Sequence, residues 1–599
     1  MDDQNKNLIL AVALSFLVIL IWFVVFPPPE PEATLDNASL EAPLEAPVPS
    51  TASAPQASAP GQTAQGTTAP VDTDIQNAPR VAIETPSLSG TISLIGGRID
   101  DLSLKQYKTS IEPGAEIVTM LAPVGSAEPY YALYGWAPSA GIAPDQVPGA
   151  FTEWTLTQGE TLGPDSPITL QWDNGAGLLF ERVIAVDEDF MFSVTQSVRN
   201  NTEAAVSLAP YGVLARHGQP ADAKNFFILH EGAIRFADDE LTETDWDDFA
   251  DDGSRDRVDV TEAGWTGFTD HYWQSVLIPP AQATAKLETF LEPNRGIYQT
   301  SATLGTQTVA PGASSSVTTQ LFAGAKEWET IRAYQNAGVA KFIDSIDWGW
   351  FFFLTKPIFW LLHELNKLIG NMGWAIIGLT LIIKAVLFPL AYKSYVSMAK
   401  MKELQPEMEK LKERAGDDRQ KLQQEMMELY KREKVNPAAG CLPILLQIPI
   451  FFSLYKVIFV TIELRQASWL GPFRDLSTPD PTSLINLFGL LPFDSPEPGS
   501  ILALIFIGIL PLILGISMWL QQKLNPAPTD PTQQMIFAWM PWVFMFMLGG
   551  FASGLVIYWI ANNVITFSQQ YIIMRSQGYT PDILGNIRGS FRSKGKDDA

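Results

Sequence analysis

The chain has 599 residues, with 65 acidic against 40 basic side chains and a formal net charge of −25. That length holds several folding units, and that charge excludes a basic nucleic-acid footprint over the whole chain, so no direct DNA binding is expected. Cys441 is the only cysteine, which rules out an intrachain disulfide and a zinc cluster built on several thiolates. The acidity is local: residues 27–347 hold about 44 acidic and about 16 basic residues, and the rest of the chain sums to about +3. A strongly acidic region stays soluble and avoids anionic lipid, so it suits bulk water.

In chain order, the first element is an apolar run at 8–26, long enough to span a bilayer core and stopped by Pro27-Pro28-Pro29. It reads either as a cleaved signal peptide or as an uncleaved anchor. Asp2 and Asp3 ahead of Lys6, the length of the run and the lack of an adjoining small-x-small site favour the anchor. Residues 27–80 are rich in Pro, Ala, Ser, Thr and Gln and poor in large apolar groups, the composition of a disordered tether. From 81 to 340, alternating runs such as 91–95, 168–172, 190–198 and 316–322 predict strands of a large all-β sandwich. Asp173-Asn174-Gly175 and Arg199-Asn200-Asn201 predict turns, and 327–336 a short closing helix. His217, His230 and His271 fall in this region without metal-ligand spacing. The acidic run 238–252 lacks the alternate-residue pattern of a calcium loop and reads as solvated.

Segment 341–371 alternates aromatic residues with Lys356, His363, Glu364 and Lys367, which predicts an amphipathic helix lying in the membrane interface. A membrane core follows over 372–575, with spans at about 372–390, 442–461, 501–520, 535–549 and 553–573. With the N-terminal anchor these make six. About 11 Lys and Arg residues in 391–441 orient that segment to the cytoplasm, which puts both termini inside and residues 27–347 outside. Within it, 392–434 predicts a helical hairpin whose narrow stripe is Met398, Met401, Leu404, Met408 and Leu411 on one arm, facing Leu422, Met426 and Leu429 on the other. The hairpin reads either as a solvated arm or as a docking arm for substrate. The last segment, 576–599, is a basic cytoplasmic tail carrying Arg588, Arg592, Lys594 and Lys596.

Lys384 is the expensive residue of the second span, since a charge near the helix centre costs roughly 2.5–3.5 kcal/mol on the insertion scale. Either it snorkels to the headgroups along its own stem, or it stands in a water-filled recess between helices. Gln447, Asn562, Asn563 and Thr566 also lie inside apolar spans and need partners or water there, which favours the recess. The lack of intramembrane carboxylates and of an internal repeat weakens a small-solute or ion transporter, the main rival reading. An envelope enzyme working through the β-domain is the third.

Asn436-Pro437-Ala438-Ala439-Gly440-Cys441-Leu442-Pro443, continuing in Gln447-Ile448-Pro449-Ile450-Phe451, resembles the motif of the YidC membrane protein insertases of the YidC/Oxa/Alb superfamily. The likeness extends through Ser397-Met398-Ala399-Lys400-Met401, Leu404-Gln405-Pro406, Gln424-Glu425-Met426-Met427, Glu463-Leu464-Arg465-Gln466-Ala467 and Ser553-Gly554-Leu555-Val556-Ile557-Tyr558. It covers about 340–575 closely, and the outer domain is placed as in the Gram-negative branch. The resemblance implies a non-enzymatic insertase and chaperone of the bacterial inner membrane, with no cofactor and no nucleotide hydrolysis. It implies a five-helix core whose hydrophilic groove opens to cytoplasm and lipid and receives nascent membrane proteins, alone or beside the Sec translocon. The groove's basic residue falls on Lys384, where many relatives carry Arg, and Lys lacks the planar fork of Arg. Tyr558, followed by Trp559, falls on the path along which substrate spans slide. The basic tail is implied to meet ribosomes and the signal recognition machinery.

Overall fold

A computed structural model describes residues 77–139, 142–223, 229–249, 255–415, 418–433, 435, 442–491, 493, 496, 500, 502, 505–525 and 531–578. The expected anchor at 8–26, nearly all of the tether, the tail with Arg588, Arg592, Lys594 and Lys596, and 436–441 of the motif lie outside the described residues. The chain divides into a β unit ending at Trp348 and a helical unit beginning at Gly349, with Val460–Glu463 grouped with the former.

In the β unit the strands form an 11-stranded sheet and a 9-stranded sheet. The centre of the larger sheet is Val206–His217, flanked by Ile297–Leu304 and Tyr130–Pro138. In the smaller one, Ser314–Ala325 is central, between Trp273–Ile278 and Met191–Asn200, and Met191–Asn200 pairs in turn with Leu178–Val186. Alternation sets the register: Leu178–Val186 reads buried at every second residue, so one face of the strand is covered and the other is partly open. The expected turns form for local reasons. Gly175 takes φ 69° and donates its N–H to Asp173 Oδ1 at 2.9 Å, while buried Asn200 accepts from Thr202 N at 2.9 Å and donates to Val309 O at 2.9 Å. A helix over Trp328–Asn336 (α1) follows the last strand.

The two sheets are joined by apolar side chains and by a few buried polar links. Trp136, Trp246, Trp265, Phe180, Phe268 and Phe322 are fully buried, and Thr266 and Thr300 share a 2.6 Å hydrogen bond between the sheets. Arg182 is buried without a carboxylate partner among the described residues. It donates to the carbonyls of Gly96, Gly97 and Tyr134 at 3.1, 3.0 and 2.6 Å, and its guanidinium lies 4.4 Å from the Trp154 ring centroid. Burial lowers its pKa to about 10.

In the helical unit, Phe352–Ile369 (α2) ends at Gly370 in the left-handed region, and Asn371 caps Met372–Val386 (α3) by accepting from Trp374 N at 3.2 Å. α2 buries Thr355, Phe359 and Leu362 and exposes Phe352, Phe353, Trp360 and Leu368. The span expected at 372–390 is not one straight helix. It ends at Val386, turns by 68°, and resumes as Phe388–Glu403 (α4). Pro389 explains the break, because it has no N–H to give and its ring clashes with the carbonyl four residues back. Gln405–Ala415 (α5) and Arg419–Arg432 (α6) form the hairpin, with an exposed Arg432–Glu407 pair at 2.9 Å.

Leu442–Val460 (α7), Ile509–Gln522 (α8), Pro531–Leu548 (α9) and Ser553–Ser576 (α10) complete the unit. α8 begins eight residues later than the expected span at 501. Among the described residues no single helix is both long and apolar enough to cross a membrane, although α3 and α4 together are. α10 packs against α3, α4 and α8, so it is the central post of the unit.

The hairpin stripe is also divided. Pro406 follows a break at Leu404, and the two sides of that break face different neighbours. Met398 packs with Tyr395 against Ile573 of α10, whereas Met408 lies within 3.8 Å of Tyr430 Oη on α6. Met401, Leu404 and Leu411 are half-buried. Periodicity alone could not separate the two surfaces, because both use the same helical spacing.

Candidate functional site

Three helices bring the polar residues of the helical unit together. Lys384 lies in the last turn of α3, just before the Pro389 bend, so the bend starts at the level of its charge. Its Nζ donates to Gln447 Oε1 of α7 at 3.1 Å. Gln447 Nε2 in turn donates to Tyr558 Oη of α10 at 2.6 Å. Gln569 Nε2, about three turns further along α10 on the same face, donates to the Lys384 carbonyl at 3.4 Å. Tyr558 is buried, Lys384 and Gln447 are half-buried, and among the described residues no carboxylate forms an ion pair with Lys384. A lysine that reaches inward to an amide is not stretched out along its own helix toward headgroups.

The remaining expected residues divide by helical spacing. Tyr558, Asn562 and Thr566 recur at four-residue steps and share one face of α10. Asn562 Oδ1 and Thr566 Oγ1 are buried and have no hydrogen-bond partner among the described residues. Asn563, one residue round, turns to α8 and donates to Ser517 Oγ at 3.0 Å, and Gln570 continues that face with a 3.1 Å bond to Asn525 Oδ1. Asn563 therefore joins α10 to α8, apart from the string that holds Lys384. Trp559 meets aromatic rings, those of Phe451 at 4.6 Å and Phe544 at 6.2 Å.

Sequence reasoning missed Ser517, Gln569 and Gln570, which lie inside α8 and α10 rather than at their ends. It also passed over Lys456, a second cation within α7. Lys456 is buried, and its stem lies against Gly349, where an added Cβ would meet its Cε at 3.3 Å. A charge in an apolar run was the available signal.

The β unit does not gather its histidines. His217 lies 5.8 Å from the Tyr131 ring, His230 Nδ1 bonds Asp245 at 2.6 Å, and His271 stacks on Tyr272 at 3.8 Å. Burial, reinforced by Arg295 and Arg98, lowers the His217 pKa to about 4. Among the described residues no group of three His, Cys, Asp or Glu could hold a metal. In the acidic run, Asp238 accepts from the backbone of Glu262 at 2.8 Å, and Trp246 and Phe249 are core residues.

Together, a two-sheet β unit and a helical unit that holds the Lys384 cation on a polar string define a membrane-integrated protein that carries a large extramembrane domain. Comparison with known proteins agrees along the whole chain. Residues 80–361 match the YidC periplasmic domain and residues 364–579 the 60Kd inner membrane protein family. The membrane protein insertase YidC of Roseobacter denitrificans is 69% identical, and that of Ruegeria pomeroyi 64%, each aligned over 100% of both chains. The chain also aligns with a solved active YidC insertase at 16% identity and TM-score 0.34, covering 82% of this chain and 92% of that one. The chain belongs to the YidC membrane protein insertases, a family of inner-membrane proteins with a periplasmic domain.

Proposed function

We propose that this protein receives nascent membrane proteins in a hydrophilic recess of its helical unit and releases their spans into the inner membrane. The observation that carries this reading is the string Lys384–Gln447–Tyr558, which holds an ammonium inward among apolar helices. A hydrophilic loop crossing hydrocarbon must leave water, and each unsatisfied backbone group costs several kcal/mol there. A recess with one cation, an amide and a phenol lowers that cost by offering substitute partners, and Asn562 and Thr566 extend the polar face along α10. The spans of the client then move into lipid because their apolar side chains leave water. No step consumes nucleotide.

The domain boundaries and topology belong to the same proposal. The chain runs from an anchor at 1–26 through a tether at 27–80 and the β-domain at 81–340 to an interfacial helix at 341–371. The insertase core at 372–575, with its hairpin at 392–434, precedes the tail at 576–599. Both termini face the cytoplasm, and six spans cross. The exposed Phe352, Phe353, Trp360 and Leu368 suit α2 to the lipid interface. The core works alone or beside the Sec translocon, and Arg588, Arg592, Lys594 and Lys596 favour contact with the ribosome and the signal recognition machinery.

Photocrosslinkers placed at 384 and 558 during synthesis of a short membrane client test the path. Adducts with the nascent chain at both positions are expected; adducts at neither would remove the recess from the route. Deleting 80–330 separates the rival reading, since an envelope enzyme would lose its activity and an insertase would keep most of its own.

A further inference from the structure

In the β unit, one face of the 11-stranded sheet gathers buried polar groups that lack partners. Tyr130 turns to Phe268 of the smaller sheet, with ring centroids 6.3 Å apart, so its neighbour Tyr131 lies on the opposite face. Ile99 pairs with Ala132, which puts Arg98 and Asp100 on the Tyr131 face. Ala215 pairs with Tyr131, which brings His217 there as well. Gly218 N donates to Gly296 O at 2.9 Å and holds the turn that carries Arg295 next to His217. Arg98 Cζ lies 5.3 Å from the Tyr131 ring centroid, and the His217 ring lies 5.8 Å from it. Exposed Phe151 stands over the same guanidinium at 5.9 Å. Arg98 is only 2% exposed and spends Nη2 on the Ala150 carbonyl at 3.0 Å. Its Nε and Nη1 have no hydrogen-bond partner among the described residues, and neither do both ring nitrogens of His217, Nε of Arg295 and Oδ2 of Asp100. Arg80 engages the other Asp100 oxygen, and Glu292 meets Arg295 Nη1 at 3.5 Å, which leaves Arg98 as the cation of this face without an ion pair among the described residues. Buried groups of this kind are ordinarily satisfied, and a buried charge is ordinarily paired.

We propose that this face of the β-domain is a binding site for a small hydroxy acid, with the carboxylate on Arg98 and Arg295 and a hydroxyl between Asp100 and His217. Donors and acceptors are both unmet here, and a simple anion satisfies only the donors. The guanidinium groups of Arg98 and Arg295 offer N–H and nothing else, which suits a carboxylate. Ionised Asp100 Oδ2 only accepts, so it repels an oxyanion and calls for a hydroxyl donor. His217 is kept neutral by burial and by Arg295 and Arg98, and so offers one N–H and one lone pair to the same hydroxyl region. One cation without an ion pair matches one negative charge on the ligand. Tyr211, Val213 and Ala215 continue the face beside Tyr131 as an apolar strip against which a carbon skeleton can lie.

The test titrates the full chain in detergent with three probes. Gluconate has a carboxylate and hydroxyls, sorbitol has the hydroxyls without the charge, and acetate has the charge without the hydroxyls. Saturable calorimetric binding of gluconate is expected in the millimolar range that its size allows, with both other probes weaker by about tenfold or more. Arg98→Met is expected to weaken gluconate binding about tenfold, the loss of a hydrogen bond to a charged group. Arg295→Gln, at the half-buried rim, should weaken it similarly and serves if the Arg98 variant fails to fold. The chain has only four histidines, so imidazole NMR signals report where the ligand sits. Gluconate should shift one of them, and His217→Gln should remove that signal. Sorbitol binding as tight as gluconate would overturn the carboxylate assignment, and acetate binding as tight would overturn the hydroxyl assignment. No saturable gluconate binding, unchanged affinity in the arginine variants, or an unmoved His217 signal would each overturn the site itself.

Discussion

The ring centroids of Phe451 on α7 and Trp559 on α10 lie 4.6 Å apart, one residue along α10 from the tyrosine that ends the polar string. Inside a bilayer such a contact gains nothing from leaving water, because lipid tails are as apolar as the ring itself. What remains is close packing and the ring–ring term, about 0.5–1.5 kcal/mol. Trp559→Leu is therefore expected to destabilise the full chain in detergent by about 1 kcal/mol, and Trp559→Phe by less. Calorimetry of the two variants decides it, and equal losses would mean that indole shape rather than ring contact holds the helices.

Charge at position 384 is expected to matter more than side-chain shape. Lys384→Arg keeps a donor that reaches Gln447 and should retain insertion. Lys384→Glu reverses the charge and should reduce insertion of clients with acidic translocated segments by about tenfold or more, from the loss of a charge-assisted contact. Insertion assays in depleted cells read this directly. Unchanged insertion of every such client by the Glu variant would reject the electrostatic role.

The β-domain carries an acid-sensitive group in His217. Its folded pKa of about 4 lies below the ordinary histidine value, because burial and the neighbouring Arg295 and Arg98 disfavour the imidazolium. Between about pH 6.5 and 4 the unfolded chain binds the proton that the folded chain refuses. The stabilising difference is thus fully present above about pH 6.5 and is lost as pH falls toward 4, by about 3 kcal/mol. Urea unfolding of the wild type and of His217→Gln across that range should show a steeper acid loss in the wild type. Parallel curves would show that another group governs the response.

Gly373 on α3 is a packing requirement. A Cβ there would stand 2.2 Å from Trp469 Cδ1, and Trp469 is itself held against Trp374 and Phe473 at 5.6 and 6.1 Å. Gly373→Ala gains about 1 kcal/mol of helix propensity. Overpacking against a held ring costs about 1–3 kcal/mol, so a net loss is expected. Combining it with Trp469→Ala should remove the clash, and the double-mutant cycle should show coupling between the two sites. Additive effects would refute the contact.

Within the membrane core, local pattern exposed the polar residues but not their partners. Lys384 and Gln447 are conspicuous because each is an expensive side chain in an apolar run, and that cost is readable one residue at a time. Their 3.1 Å bond is not readable, since 63 positions separate them and either could have faced water or another helix. The split stripe of Met398 and Met408 shows the same limit. Spacing gives the face of a helix, and Pro389 and Pro406 signal breaks, but the surface that each face meets depends on where the chain goes next.

The amino-acid order by itself determined the division of the molecule: an acidic stretch of alternating strands, a run of apolar helices, a basic loop between them and the motif blocks that mark the family. These follow from burial, periodicity and backbone chemistry, which act over a few residues. Tertiary structure alone decided the central position of α10 and the direction of the string from ammonium to amide to phenol. Each needs groups far apart in the chain to meet within hydrogen-bonding or contact distance. No local rule encodes that meeting, because it depends on how all the helices pack at once.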